Sequence, residues 1–386
     1  MLLFFISLCG FASAVAHRSV DPLVSVLARE FSVPVATAAL VSSAYALPYA
    51  LGQPVLGPIG DAFGKGRLLA ICLTILTLTL IALPFVQGFE SMLMLRFIGG
   101  LAAGGTIPVA LALIGDNFPA QERQVAIARF VAFALIGQIL ASSLAGIAAE
   151  FIDWRSFFYA GACVTGIAAL GAAFKLCEPK GIDVAPMRLS QAYAGYGMIF
   201  RNPKSWLCYG TVFIEAIAVF GLLPYVGDIL ESNQLGGPKE AGFIIAGIGL
   251  GGILYSFIIA LLIRHLSRVA LMAWGGGLGA LGLIGFLALP GWLVLFSLIT
   301  LLGFGFGMLH NSIQTEVSSL APHARSAAFS AHAFSFFMGQ ALGPIFFGFG
   351  IQHVGLTKTL LVHGLLLAAV GCGAAILFSR QSRELL

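Results

Sequence analysis

Residues 68–88 read LLAICLTILTLTLIALPFVQG, a run without a single Asp, Glu, Lys or Arg. At a helical rise of about 1.5 Å per residue it is about 30 Å long, the thickness of a bilayer's hydrocarbon core. No water reaches the backbone there, so the run must be a helix that pairs its own N–H and C=O groups. Turn-forming pieces bound it, Gly64-Lys65-Gly66 on one side and Gln87-Gly88 on the other.

The same pattern continues in both directions. Further apolar runs lie near 2–26, 35–58, 91–114, 125–150, 155–176, 205–227, 240–264, 269–289, 292–316, 326–351 and 356–379. Of the 386 residues, 59% are hydrophobic and only 9% are charged. A soluble domain carries about 25% charged residues to face water. Disordered chains are poor in apolar residues, so disorder is excluded as well. The sequence therefore predicts an all-α integral membrane protein with twelve transmembrane helices. The 48 glycines suit a membrane bundle, where small residues let helix backbones approach.

Met1–Ala16 has the apolar run and the Ala14-Val15-Ala16 ending of a signal peptide. It lacks the positively charged leading region, and the run continues through Pro22 to Leu27. It is expected to be a retained first helix. The 6 cysteines are scattered and the 7 histidines form no ligand spacing, so no metal and no cofactor are expected. No basic, aromatic stretch points to nucleic acid.

Lys and Arg concentrate on the cytoplasmic side of membrane proteins. With the N-terminus inside, the cytoplasmic segments hold Lys65, Arg67, Arg123, Arg129, Lys175, Lys180, Arg188, Arg201, Lys204, Arg264, Arg268, Arg325, Arg380 and Arg383. The outer loops hold only Arg29, Arg155, Lys239 and Lys358. This bias predicts both termini in the cytoplasm, most naturally below a bacterial inner membrane.

The longest polar interruption, 177–204, splits the chain into an N-terminal six-helix bundle at 1–176 and a C-terminal one at 205–386, joined by a cytoplasmic linker. The bundles repeat. Gly137-Gln-Ile-Leu-Ala-Ser-Ser-Leu-Ala-Gly146 in span 5 matches Gly339-Gln-Ala-Leu-Gly-Pro-Ile-Phe-Phe-Gly348 in span 11 at an offset of 202 residues. Arg123 and Arg325 keep the same offset. Two six-helix halves in parallel repeat form a transporter architecture, with the substrate site between them near the midplane.

After span 2 the chain reads Gly57-Pro-Ile-Gly-Asp61-Ala-Phe-Gly64-Lys65-Gly-Arg67. Gly57 is expected to let span 2 pack closely on a neighbour. Asp61 can accept hydrogen bonds at a helix N-terminus or from an arginine, Gly64 turns the chain, and Lys65 and Arg67 hold the loop inside. This loop resembles the signature loop of the major facilitator superfamily, although Ala62 stands where a basic residue is common and Gly66 interrupts the basic pair. Arg96-Phe-Ile-Gly99-Gly100-Leu-Ala-Ala-Gly104 resembles the family's fourth-helix motif, and Asp116-Asn-Phe-Pro119-Ala-Gln-Glu122-Arg123 its following loop. Trp154-Arg155 before span 6 also fits, and Arg18-Ser-Val-Asp21-Pro22-Leu23 resembles the branch of twelve-span drug/proton antiporters. That branch carries Gly-x-x-x-Gly-Pro in span 5. Here the matching residues are Gly137-Gln-Ile-Leu-Ala141-Ser142, and the Gly-Pro pair stands only in span 11, as Gly343-Pro344.

A charge at the bilayer centre costs at least about 2.5–3.5 kcal/mol on insertion scales, so each one needs a reason. Glu215 lies eleven residues into span 7, roughly 16 Å deep. It is either a proton-coupling carboxyl or a hydrogen-bonded structural one. Arg18 and Asp21 share a face of span 1, as a local salt bridge or a proton-sensitive pair at the cavity mouth. Arg96 either snorkels outwards or, as the resemblance implies, faces inwards and tunes a carboxylate, with Asp21 its expected partner by depth. Tyr45, Tyr49 and Gln53 recur every four positions and are expected to line the cavity with Gln138, His310, Asn311 and Gln314. Gly57, Asp61, Gly64, Lys65, Arg67, Asp116 and Arg123 are expected at a cytoplasmic gate. The aromatic supply, 32 Phe including Phe334, Phe336 and Phe337, suits planar or amphipathic substrates.

No Gly-x-Ser-x-Gly, Walker sequence or nucleotide-binding domain is present, so the chain is not expected to be an enzyme or to be driven by ATP. The expectation is a secondary active transporter that moves a small organic molecule by alternating access, as proton-coupled efflux, in the lipid bilayer and as a monomer. The alternative is an importer of a nutrient such as a vitamin, sugar or amino-acid derivative.

Overall fold

A computed structural model of the chain describes residues 1–177, 196–320 and 325–383. Most of the expected linker, residues 178–195, lies outside the described residues, as do the side chains of Asp61 and Arg325. Among the described residues there is no strand.

Twelve helical spans are long and apolar enough to cross a membrane. In the first half they are span 1 (Leu2–Glu30), span 2 (Val35–Gly60), span 3 (Lys65–Phe85), span 4 (Phe89–Asn117), span 5 (Glu122–Phe151) and span 6 (Trp154–Lys175). In the second they are span 7 (Pro203–Ser232), span 8 (Pro238–His265), span 9 (Arg268–Ala288), span 10 (Trp292–Leu320), span 11 (Ala327–Val354) and span 12 (Leu356–Ser379). An even number of spans puts both termini on one face, called here the termini face. Local signals set the starts of several helices. The side chains of Asp153, Asn202 and Ser267 accept from backbone N–H groups at the heads of spans 6, 7 and 9, which satisfies donors that lack an intrahelical partner.

Lipid tails are as apolar as the helices, so close packing holds the bundle together. Span 2 lies on span 4, where Gly100 and Gly104 face the carbonyls of Tyr45 and Tyr49. A Cβ at either glycine would collide with backbone, so these two helices touch main chain to main chain. Gly57 behaves otherwise than expected: among the described residues nothing lies within 4 Å of where its Cβ would be. Gly64 does make the turn, at φ 93°, in the left-handed region that favours glycine.

The halves also repeat in their irregularities. Span 1 breaks after Leu2–Arg18, passes through a 3-10 turn at Asp21–Leu23, and resumes as Val24–Glu30. Span 7 breaks after Pro203–Phe220, passes through a 3-10 turn at Leu223–Tyr225, and resumes as Val226–Ser232. Pro22 and Pro224 sit in the two turns at the repeat offset of 202. A proline supplies no N–H to the helical ladder, so both helices break at the same level. Span 2 meets span 11 and span 5 meets span 8 across the two halves.

Candidate functional site

The break in span 1 leaves carbonyls of its last turn without helical partners. Arg96, 2% exposed, collects them. Its guanidinium donates to the Ala16 carbonyl at 2.9 Å, to His17 at 3.4 Å and to Val41 of span 2 at 3.3 Å. The Tyr45 ring lies 4.1 Å beneath it, a cation–π support. Arg96 therefore faces inwards, but the expected pairing with Asp21 is replaced by bonds to main chain. Asp21 pairs instead with Arg18 at 3.1 Å and accepts from the Ser42 hydroxyl at 2.6 Å.

Arg18 joins the halves. Its second nitrogen donates to Gln340 of span 11 at 2.5 Å, and its guanidinium lies 4.4 Å from the Phe220 ring of span 7. Farther from the termini face, Ser25 donates to Glu231 at 2.9 Å, Arg29 pairs with the same carboxylate, and Lys239 pairs with Glu150 at 3.3 Å. In the middle, Phe337 of span 11 packs on Tyr49 at 4.3 Å and on His17 at 5.6 Å between ring centroids. All these contacts lie between the membrane's middle and the face opposite the termini. They close that face.

Tyr45, Tyr49 and Gln53 do share one face, but it is packed shut, with exposures of 1%, 1% and 3%. His17 stacks on both tyrosines at 5.3 and 5.4 Å. Gln53 donates to the Gly104 carbonyl at 2.9 Å, at the break between the two helical pieces of span 4. These side chains sit in packed protein, not on an open cavity.

In the second half, Glu215 is 0% exposed at the middle of span 7. Its Oε2 lies 3.0 Å from His310 Nδ1 of span 10. His310 Nε2 lies 3.3 Å from His332 Nε2 of span 11. Asn311, the next residue, points elsewhere: it is exposed and accepts from the Tyr255 hydroxyl of span 8 at 3.3 Å. Gln314, one turn beyond His310, is half-buried. Gln138 is half-buried and lines a water-sized void beside Arg18 and Phe220.

Toward the termini face a cavity of about 450 Å³ opens among Pro54 of span 2, Tyr196 and Phe200, Trp206 and Tyr209 of span 7, and Ala331, Phe334 and Ser335 of span 11. Its volume and apolar wall fit a small organic ligand. Also on that face, Lys65 pairs with Asp116 at 2.6 Å, and Arg123 donates to the Gly115 carbonyl at 2.6 Å, capping the end of span 4. Arg67 is exposed. In the second half, Glu316 takes Lys204 at 2.6 Å and Arg268 at 2.5 Å, so a carboxylate near the end of span 10 answers Asp116 near the end of span 4.

Residues 6–344 and 206–385 each match the model of the Major Facilitator Superfamily. The chain belongs to the major facilitator superfamily. It is an integral membrane protein and a secondary transporter that moves small molecules by alternating access, a carrier and not an enzyme. It is 22% identical over 335 residues to the quinolone resistance protein NorA of Staphylococcus aureus strain Mu50, covering 85% of this chain and 84% of that one. It is 23% identical over 242 residues to the uncharacterized MFS-type transporter YwfA of Bacillus subtilis strain 168, covering 62% and 59%. Among solved structures, a point mutant of the nucleoside transporter NupG matches at a TM-score of 0.78 and 16% identity, covering 98% of this chain and 99% of that one. A bacterial homolog of the lysosomal transporter Spinster, in an inward-facing unoccupied conformation, matches at 0.74 and 16% identity, covering 98% and 97%.

Gln340 and His332 are among the residues of this facilitator not anticipated from sequence, with His17, Phe220 and the cavity residues Tyr196, Phe200, Trp206 and Tyr209. Gln340 had a signal, because it is the repeat mate of Gln138 at an offset of 202. His332 had a weaker one, as an imidazole inside an apolar span.

Proposed function

We propose that this transporter exports a small amphipathic molecule with an aromatic part in exchange for protons, across a bacterial cytoplasmic membrane, with both termini in the cytoplasm. The observation that carries the reading is Glu215, wholly buried at the middle of span 7 and bonded to a histidine. A permanently ionised carboxylate is costly at that depth, whereas a carboxyl that gains and loses a proton as the cavity changes sides is suited to coupling. Residues 1–176 and 205–386 act as the two rocking halves, joined by 177–204, and one chain suffices.

Arg18, Asp21 and Gln340 hold the periplasmic side closed in this conformation, and Arg96 holds the broken first helix in register for them. Gly64, Lys65, Arg67, Asp116 and Arg123, with Asp61 and Gly57 beside them, form the cytoplasmic gate when the halves rock. The aromatic cavity at the termini face takes the substrate from the cytoplasmic side. Export is favoured by the similarity to NorA, a quinolone resistance protein. The missing Gly-Pro pair in span 5 keeps the nutrient importer as the alternative.

The test is reconstitution in liposomes with an imposed pH gradient, a trapped pH dye and a quinolone as first substrate. Proton movement opposite to the quinolone is expected. Co-directional movement with a nutrient would favour the importer. Glu215→Gln should bind the quinolone yet no longer accumulate it against its gradient. Full gradient-driven accumulation by that variant would falsify the assignment of Glu215.

A further inference from the structure

A chain of hydrogen bonds in the second half stops at both ends on a bare atom. Among the described residues, Glu215 Oε1 and His332 Nδ1 have no hydrogen-bond partner, and the two residues are 0% and 3% exposed. Between these ends run the bonds from Glu215 Oε2 to His310 Nδ1 and from His310 Nε2 to His332 Nε2. Spans 7, 10 and 11 supply one residue each. Phe306 and Phe336 pack on the His310 ring at 4.9 and 4.8 Å, so carbon walls the chain.

A neutral imidazole has one N–H and one bare nitrogen, so the direction of one bond sets the direction of the next. With Glu215 ionised, His310 Nδ1–H donates to Oε2. His310 Nε2 must then accept, His332 carries its hydrogen on Nε2, and His332 Nδ1 is a lone pair. Let one proton arrive there. His332 passes its Nε2 hydrogen to His310 Nε2, and His310 passes its Nδ1 hydrogen to Glu215. The chain ends with a protonated carboxyl, His310 hydrogenated on Nε2 and His332 on Nδ1. Both rings have exchanged tautomers, one proton has been taken up, and every bond has reversed.

We propose that His310 and His332 are relay residues that carry protons between Glu215 and the termini-side cavity, with His332 Nδ1 as the port. Ala331, its neighbour, and Ser335, one turn along the same face, line that cavity. Three ionisable groups on the packed helices are engaged elsewhere: Glu316 by Lys204 and Arg268, Arg18 by Asp21 and Gln340, and the Tyr209 hydroxyl by the Ala328 carbonyl. The proposal rests on Glu215 being the coupling carboxyl.

Infrared difference spectroscopy after a pH jump, on the full chain in lipid, tests both steps without a substrate. The protonated carboxyl band should rise on acidification and be missing in Glu215→Gln. If that variant keeps the whole band, Glu215 is not the coupling group and the reading beneath the relay fails. If the band belongs to Glu215, His332→Gln should reach the same amplitude roughly a hundredfold more slowly, the size of effect a positioned proton-transfer group supplies. Glutamine can hold a hydrogen bond but cannot swap tautomers as imidazole does, so a merely structural role would leave the rate unchanged in His332→Gln. An unchanged rate there overturns the relay while leaving Glu215 in place. His310→Gln, checked for folding by thermal unfolding, gives a second reading with the same two outcomes.

Discussion

The two halves descend from one repeat, yet they treat buried charge in opposite ways. In the first half, Arg18, Asp21 and Arg96 are bonded on every side that the structure describes. Arg96 ties the broken first helix to span 2, Asp21 takes Arg18 and Ser42, and Arg18 reaches across to Gln340. In the second half, Glu215, His310 and His332 form a line whose two ends have no partner among the described residues. Saturated charges hold geometry. A line of groups that can be neutral, with open ends, can change state without tearing a network apart. The first cluster thus reads as the frame and the second as the moving part.

The largest effect should come from breaking the frame. Arg96→Ala removes the donor to the His17 carbonyl and a second donor to the Ala16 and Val41 carbonyls, and a buried acceptor left unpaired costs about 1–3 kcal/mol. We expect loss of most folded protein, measured by fluorescence-detected size exclusion. Glu215→Gln should instead fold with near wild-type thermal stability, because the amide still bonds His310 and removes no charge partner. A stable Arg96→Ala protein, or a Glu215→Gln protein that fails to fold, would erase the contrast between the halves.

A middle-sized effect is expected where frame meets partner. Gln340→Ala removes one charge-assisted bond from Arg18, worth about 1.5–3 kcal/mol, or about ten- to a hundredfold in a two-state equilibrium. The closed face opposite the termini should open more often. In a cysteine-free background, Ala46→Cys, beside the small void that Arg18 and Gln340 also line, should then react faster with a membrane-impermeant thiol reagent added from that side. Unchanged labelling would show that packing around Phe337, not the Arg18 bond, holds the seal.

How much of this was legible before any coordinates depends on the range of each signal. The twelve spans were, because hydropathy is a property of consecutive residues. The repeat was, and it reached Gln340 through Gln138, although only Gln138 was singled out. The pairing of Glu215 with His310 was not, because the residues stand 95 positions apart and what joins them is the rotation of two helices about their own axes. A run of apolar residues carries little record of that rotation. The same limit explains Tyr45, Tyr49 and Gln53. Their four-residue spacing correctly put them on one face, but nothing local told whether that face met a cavity or another helix. Gly57 shows the converse failure, where a small residue in a recognisable loop was assigned a close neighbour that the structure places at Gly100 and Gly104.

The smallest effect should come from the rim of the closed face. Arg29 and Glu231 pair across the halves, but the arginine side chain is 59% exposed. An exposed ion pair is worth about 0.2–1 kcal/mol and is screened by salt. Arg29→Ala should therefore speed labelling at Ala46→Cys from the face opposite the termini by less than about fivefold at low salt, and by almost nothing at high salt. The Gln340→Ala effect is buried and should persist at both. If Arg29→Ala matched Gln340→Ala and kept its effect in high salt, the rim would be the latch. The buried Arg18 cluster would then serve only to make the break in span 1 tolerable.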